Sequence, residues 1–390
     1  MKIKLIGIIS ILFCLQMLNA QSKVTITVKT PNKEDEVYIA GNQKSLGNWQ
    51  PKAIKMNKLS SFKRTIQFIP DSLPIEFKFT RGSWNSEALI KFNSSNLIIN
   101  KNIKDTAFTI SVWSDELKDQ RLKILKKAKK YNYSDNRFIP KFEYQSMNNP
   151  NLVEIRKELN LDSIAGKGSE ISKILNLMHW VHNIVEYQGN NGDNFAQKNA
   201  LNLIKTCKAE NRGANCRMMA TILNECYLSM GIKSRYVVCM PKETQFKDCH
   251  VINMVYSNDL KKWIWIDPVY DAYVMNEKGE MLGIEEVRER LITDKMLIVN
   301  PDINLNRTES VSKEEYLAYM AKNLYRLESP LISEYDTETW ERGKKITYVE
   351  LLPLDGVQTP QKQDVINPTL GVDFIYYKTN NPAVFWKIPE

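Results

Sequence analysis

Histidine is scarce in this chain, with only His179, His182 and His250 among 390 residues. The first two stand three apart in one helical stretch, with no carboxylate at metal-ligand spacing, so neither a metal site nor a cofactor is expected. Long apolar runs are also scarce. Beyond the first twenty residues no segment is long or apolar enough to span a bilayer, and no transmembrane segment is expected. Internal repeats and low-complexity tracts are missing, as are the patterns of a nucleic-acid reader, which removes nucleic acid from the expected partners. With 43% hydrophobic and 25% charged residues the chain is a folded protein, and its length calls for two or three domains.

The first twenty residues carry Lys2 and Lys4, an apolar run from Leu5 to Leu15, and Leu18-Asn19-Ala20 before Gln21. This reads as a cleavable signal peptide over 1–20 and predicts a secreted or periplasmic protein that can associate with the cell surface. Cys14 does not read as a lipidated cysteine, because bulky Phe13 precedes it. Loss of Lys2 and Lys4 lowers the formal charge from +9 to +7. Much of the excess lies between Lys118 and Lys130, read as a solvated linker helix, with attraction to anionic polymers as the alternative. Five cysteines remain: Cys207, Cys216, Cys226, Cys239 and Cys249. An odd count in an oxidising compartment leaves at least one thiol outside intrachain bridges.

Residues 21–113 alternate apolar and polar positions, as in Val24, Ile26 and Val28 or Ile75, Phe77 and Phe79, with Pro, Gly and Asn turns between runs. The expectation is an all-β, immunoglobulin-like sandwich. Residues 114–150 read as a charged linker. From Ile171 the spacing of Ile174, Leu175, Met178, Val181 and Val185 is helical, and a second helix carries Met219, Ile222, Leu223, Cys226 and Met230 before Gly231 stops it. Strand-like runs follow at 235–240, 250–256 and 262–266. Helices ahead of a sheet predict an α+β domain over 151–300, with 301–390 packed on it as an extension.

Gly213-Ala214-Asn215-Cys216 falls where the second helix should begin, with Asn215 as the N-cap or a contributor to an oxyanion site. A cysteine in the first turn is activated by free N–H groups and the helix dipole; the bland alternative is a buried structural thiol. If Asn258-Asp259 is a hairpin tip, His250 stands directly opposite Asp267, close enough for the carboxylate to hold an imidazole N–H. Cys216, His250 and Asp267 then have the roles of nucleophile, proton carrier and orienting group. Cys239 and Cys249 flank a short loop between neighbouring strands, which predicts a disulfide between them; Cys207 and Cys226 are a weaker second pair.

Cys216, Gly231-Ile232-Lys233-Ser234-Arg235, His250 and Trp263-Ile264-Trp265-Ile266-Asp267-Pro268, in that order, resemble the transglutaminase-like superfamily over about residues 165–275. The resemblance implies a papain-like core with Cys216, His250 and Asp267 as its triad. Ile252 and Asn253 depart from it, since many members have an aromatic residue and an acid there. Val37 to Asn42, Leu46 to Trp49 and Glu76 to Phe79 followed by Trp84 resemble the starch-binding modules of amylases. That likeness implies a sugar-stacking platform of Trp49 and Trp84 helped by Lys78; the bland alternative has both tryptophans in the core. The expected function is a secreted cysteine hydrolase or acyltransferase acting on peptide or protein amides through a thioester, with polysaccharide as a further partner. The competing expectation is a non-catalytic surface carbohydrate-binding protein with a degenerate transglutaminase-like domain.

Overall fold

Alternation of apolar side chains requires strands with one covered face, and the computed structural model supplies them. It describes residues 23–90, 96–101, 103–116, 118–128, 130–189, 195–242, 249–354, 362–367 and 371–389. The expected signal peptide and Cys14 lie outside the described residues. The chain divides into two compact units, meeting in sequence between Ser114 and Asp115.

The first unit contains β1 (Val24–Lys29), β2 (Tyr38–Gly41), β3 (Ile54–Lys55), β4 (Asn57–Ser60), β5 (Lys63–Phe68), β6 (Ile75–Thr80), β7 (Ala88–Ile90), β8 (Leu97–Ile99) and β9 (Asp105–Trp113). They form two sheets, ordered β4-β5-β1-β9-β7 and β3-β2-β6-β8. The inward residues Ile26, Val28, Ile39, Phe77, Phe79 and Trp113 build one core between them. Trp113 is the tryptophan that fills this core, and its indole N–H donates to Asp35 at 2.9 Å.

The second unit begins with α1 (Lys118–Lys127), β10 (Glu143–Tyr144), α2 (Pro150–Glu158), α3 (Leu161–Ala165), α4 (Glu170–Ile184), α5 (Ala200–Glu210) and α6 (Cys216–Ser229). Next come β11 (Ser234–Met240), β12 (His250–Ser257), β13 (Lys262–Ile266), β14 (Val274–Met275), α7 (Ile284–Ile292), β15 (Ile298–Val299), β16 (Asn304–Leu305) and β17 (Glu309–Ser310). The chain ends with α8 (Lys313–Asn323), β18 (Arg326–Pro330), β19 (Ile332–Ser333), β20 (Lys345–Leu351), β21 (Gln363–Asn367), β22 (Val372–Thr379) and α9 (Pro382–Phe385). One sheet of order β13-β12-β11-β18-β20-β22-β21 is its spine, so the residues after 325 extend the same sheet as the motif strands.

Both faces of that sheet are covered, which is why β11 to β13 read as nearly unbroken apolar runs. Tyr236, Val238, Val251, Val255, Ile264 and Ile266 face the core built by α2 to α6. Val237, Cys239, Ile252, Met254, Trp263 and Trp265 face a second core completed by α1, α7 and α8. The stretch expected to be a solvated linker therefore contributes a packed helix, with Leu125 1% exposed. Arg235 ties the far end of the chain to β11: its buried guanidinium stacks on Phe142 at 3.6 Å and donates to the carbonyl of Phe385. No described helix is long and apolar enough to cross a membrane.

Candidate active site

Cys216 is the first residue of α6, where backbone N–H groups have no partner within the helix. Asn215 caps the helix by accepting from the Met218 N–H at 3.0 Å, so its amide oxygen is engaged in the cap. The approach to the cysteine is fixed by strand-like pairing. Ala214 N–H donates to the Glu186 carbonyl and Gln188 N–H to the Ala214 carbonyl, both at 2.8 Å. Gly213 permits this close approach, since a Cβ there would lie 2.2 Å from the Glu186 oxygen. Cys216 itself is 9% exposed, so the thiol stands at the end of a buried helix, beside the N–H groups left unpaired within it.

His250 begins β12 as expected, but its relation to Asp267 differs from direct opposition. The ladder pairs Ser257 with Lys262, Met254 with Trp265 and Asn253 with Ile266, two residues out of step with the expected register. The cause is the turn. Glu170, at the start of α4, accepts from Ser257 Oγ at 2.6 Å, from Asn258 N and Asp259 N at 3.0 Å each, and from Asn258 Nδ2 at 2.8 Å. That grip, with Lys261 at φ 53°, makes 258–261 a four-residue turn. A slip of two preserves the faces, because strand side chains alternate with period two. Asp267 therefore falls one step along the same face from His250, and His250 Nε2 meets Asp267 Oδ2 at 2.8 Å.

Both members of this pair are buried, His250 at 1% and Asp267 at 0% exposure. Because a carboxylate only accepts, Nε2 carries a proton and Nδ1 is left for proton exchange. Burial alone would lower the imidazole pKa; the charge of Asp267 and its hydrogen bond outweigh this, and Cys216 adds a further hydrogen bond, raising it to about 10. Asp267 is held by Val269 N–H to Oδ1 at 2.9 Å and by Tyr316 O–H to Oδ2 at 2.8 Å. The rings of Tyr270 and Tyr319 flank His250 with centroids at 5.7 and 5.4 Å. Tyr316 and Tyr319 come from α8, far from the motif in sequence, and nothing in the local pattern of that helix marked them.

The expected Cys239–Cys249 disulfide is absent, and sheet parity explains why. Cys239 pairs with His250 and shares its face, so Cys249, the preceding residue, points to the opposite face of the sheet. Cys207, Cys216, Cys226, Cys239 and Cys249 are all free thiols, so neither expected bridge forms. His179 Nδ1 lies 2.6 Å from Asp271, and His182 sits buried between the Pro268 carbonyl and Asn304. Among the described residues no three His, Cys, Asp or Glu side chains are grouped to hold a metal ion.

In the first unit Trp49 and Trp84 lie together, ring centroids 6.4 Å apart and planes at 44°. Both are half-buried and outside the sandwich core. Gly47, Asn48 and Trp49 have φ of 74°, 47° and 62°, three successive left-handed residues. For a tryptophan this is a strained conformation, fixed here by Trp49 N–H donating to the Gly41 carbonyl at 2.8 Å. Lys78 stands two residues before Thr80 in β6, its ammonium held by Glu87 at 2.7 Å.

Residues 157–268 match the model of the transglutaminase-like superfamily, and residues 21–109 match that of the starch binding domain. No curated protein matches the chain. Among solved structures, a Cytophaga hutchinsonii protein with a provisional cysteine-protease designation is 20% identical, over 30% of this chain and 37% of that one, with TM-score 0.24. The family 20 carbohydrate-binding module of the maltotetraose-forming amylase from Pseudomonas saccharophila STB07 is 20% identical, over 22% of this chain and 97% of that module, with TM-score 0.17. Red sea bream transglutaminase is 10% identical, over 74% of this chain and 51% of that one, with TM-score 0.26. The chain thus spans 37% of the Cytophaga protein's length and 51% of the transglutaminase's.

Proposed function

We propose that this chain, a transglutaminase-like domain behind a starch-binding domain, is an exported thiol hydrolase or acyltransferase acting on peptide or protein amide bonds. The observation that carries this reading is the buried His250–Asp267 pair at 2.8 Å, in a site whose cysteine, Cys216, is the first residue of a helix. Cys216 Sγ, with its proton resting on His250 Nδ1 as an imidazolium, attacks the amide carbonyl carbon. The C–N bond of the resulting tetrahedral adduct breaks as the imidazolium protonates the leaving amine, and a thioester remains on Cys216. Water or a second amine, deprotonated by the imidazole, then attacks the thioester and releases the thiol. Asp267 keeps Nε2 protonated throughout, so that Nδ1 is the atom that cycles.

Iodoacetamide labelling near neutral pH tests the reading, with the label mapped by mass spectrometry and Cys216→Ala as control. Cys216 should react faster than a free thiol, because the thiolate is the nucleophile and an ordinary cysteine is mostly protonated there. Labelling of Cys216 no faster than an unactivated thiol would sink the enzyme reading.

A second activity has its own support. The Trp49–Trp84 pair outside the core offers the flat apolar faces that stack on sugar rings, and it favours polysaccharide binding by the first unit. Retention on insoluble starch measures it.

A further inference from the structure

The model match ends at residue 268, yet the carboxylate at its edge is held by a side chain 49 residues further on. Ser312 caps α8, accepting from the Glu315 N–H while the Glu315 carboxylate accepts from the Ser312 N–H, and this box places Tyr316 one turn into the helix. There Tyr316 is 1% exposed. Its hydroxyl accepts from Trp265 Nε1 at 2.8 Å and reaches Asp267 Oδ2 at 2.8 Å. An indole N–H can only donate, so the single hydroxyl proton of Tyr316 is directed at Asp267. Oδ2 therefore has two donors, Tyr316 and His250, which share one charge inside a buried site.

We propose that Tyr316 is a positioning residue that sets the orientation and basicity of the His250–Asp267 pair, so that the extension beyond the matched domain completes the active site. The proposal deepens the thiol-enzyme reading and rests on it for its catalytic meaning. Its physical core is independent of any substrate. Withdrawing one of two donors from a buried carboxylate oxygen concentrates its charge on the other, and the His250 hydrogen bond strengthens. The groups facing the imidazole are Asp267 at the end of β13, Cys216 from α6, Cys239 from β11, Tyr270 from the turn after β13, and Tyr319 from α8. None of them replaces the lost donor.

Nitrogen-15 NMR of the full chain provides the test, since three histidines give few imidazole signals and His250→Gln identifies the relevant one. In Tyr316→Phe the His250 Nε2–H resonance should move downfield at neutral pH, and deprotonation of the ring should begin at higher pH than in the wild type. Trp265→Phe leaves the tyrosine hydroxyl but removes the donor that polarises it, so it should move the same resonance in the same direction by less. It also serves if Tyr316→Phe does not fold. A role in packing alone would lower the melting temperature and leave the resonance in place. An unmoved or upfield-shifted resonance in the folded variants overturns the proposal. Iodoacetamide labelling of wild-type Cys216 decides the enzyme reading separately. Slow labelling beside a downfield resonance would leave Tyr316 positioning an idle pair and remove the function, not the inference.

Discussion

The two candidate sites of this chain are built by opposite means. The thiol site is buried and polar: every charge in it has a partner, and its geometry follows from a helix terminus, a hairpin and a tyrosine from a third element. The tryptophan pair is half-exposed and apolar, and it is held by backbone strain at Trp49. A buried polar site fails when one partner is removed, because the remaining charge is stranded in a low-dielectric interior. A half-buried aromatic platform outside the core can lose its ring and keep its fold. The contrast makes stability and function move together in one unit and apart in the other.

The largest effect should come from the carboxylate. Asp267→Asn removes the group that fixes the imidazole tautomer, and the Cys216 labelling rate at neutral pH should fall by about tenfold or more, towards that of an ordinary thiol, which is only a few per cent thiolate there. Stability should fall with it, in a pH-dependent way. The folded imidazole titrates near 10 against 6.5 in the unfolded chain, so the pair's contribution is complete below pH 6.5 and disappears as pH rises through about 10. The melting-temperature gap between wild type and Asp267→Asn should therefore be widest at acidic to neutral pH and close towards pH 10. A gap that widened with pH would break the assignment.

Trp49→Gly sharpens the other side of the comparison. It removes the ring and relieves a left-handed backbone that costs other residues about 1–2 kcal/mol. Retention on starch should drop by at least about tenfold, roughly 1.4 kcal/mol, while the melting temperature stays level or rises. A steep fall in melting temperature would show that the ring is part of the fold rather than a platform.

What was legible in the sequence follows the same division. The period-two pattern of β12 and β13 was enough to put His250 and Asp267 on one face, and a two-residue error in the turn left that conclusion standing. The same parity undid the Cys239–Cys249 bridge, where the error was one residue and therefore one face. Asn215 and Cys216 were legible as cap and first helical residue because capping is local. Tyr316 was not, because its partner lies on another element and a tyrosine at that spacing reads as core. Glu170 was missed for the same reason: the turn residues 258–261 carry no sign that a carboxylate from α4 will occupy their N–H groups. The run after Lys118 reads as solvated by its charge, yet Leu122 and Leu125 are enough to dock one side of it.

Glu170 gives the smallest effect and the cleanest control. Its burial works to raise its pKa, but the N–H and O–H donors of Asp259, Ser257 and Asn258 outweigh this and hold it below the usual carboxylate value. A carboxyl group with a depressed folded pKa stabilises above its unfolded value, 4.5, and loses that contribution as pH falls through the folded one. Glu170→Gln should cost about 1–2 kcal/mol at pH 7, within the range for hydrogen bonds to a charged acceptor and reduced for partial exposure. The gap to wild type should shrink below pH 4.5, opposite in sense to the Asp267 variant. The turn lies at the far end of β12 from His250, so Cys216 labelling should be nearly unchanged. If labelling collapsed together with stability, the hairpin register would depend on Glu170 alone, and the alternating faces of β12 and β13 would not suffice to keep His250 beside Asp267.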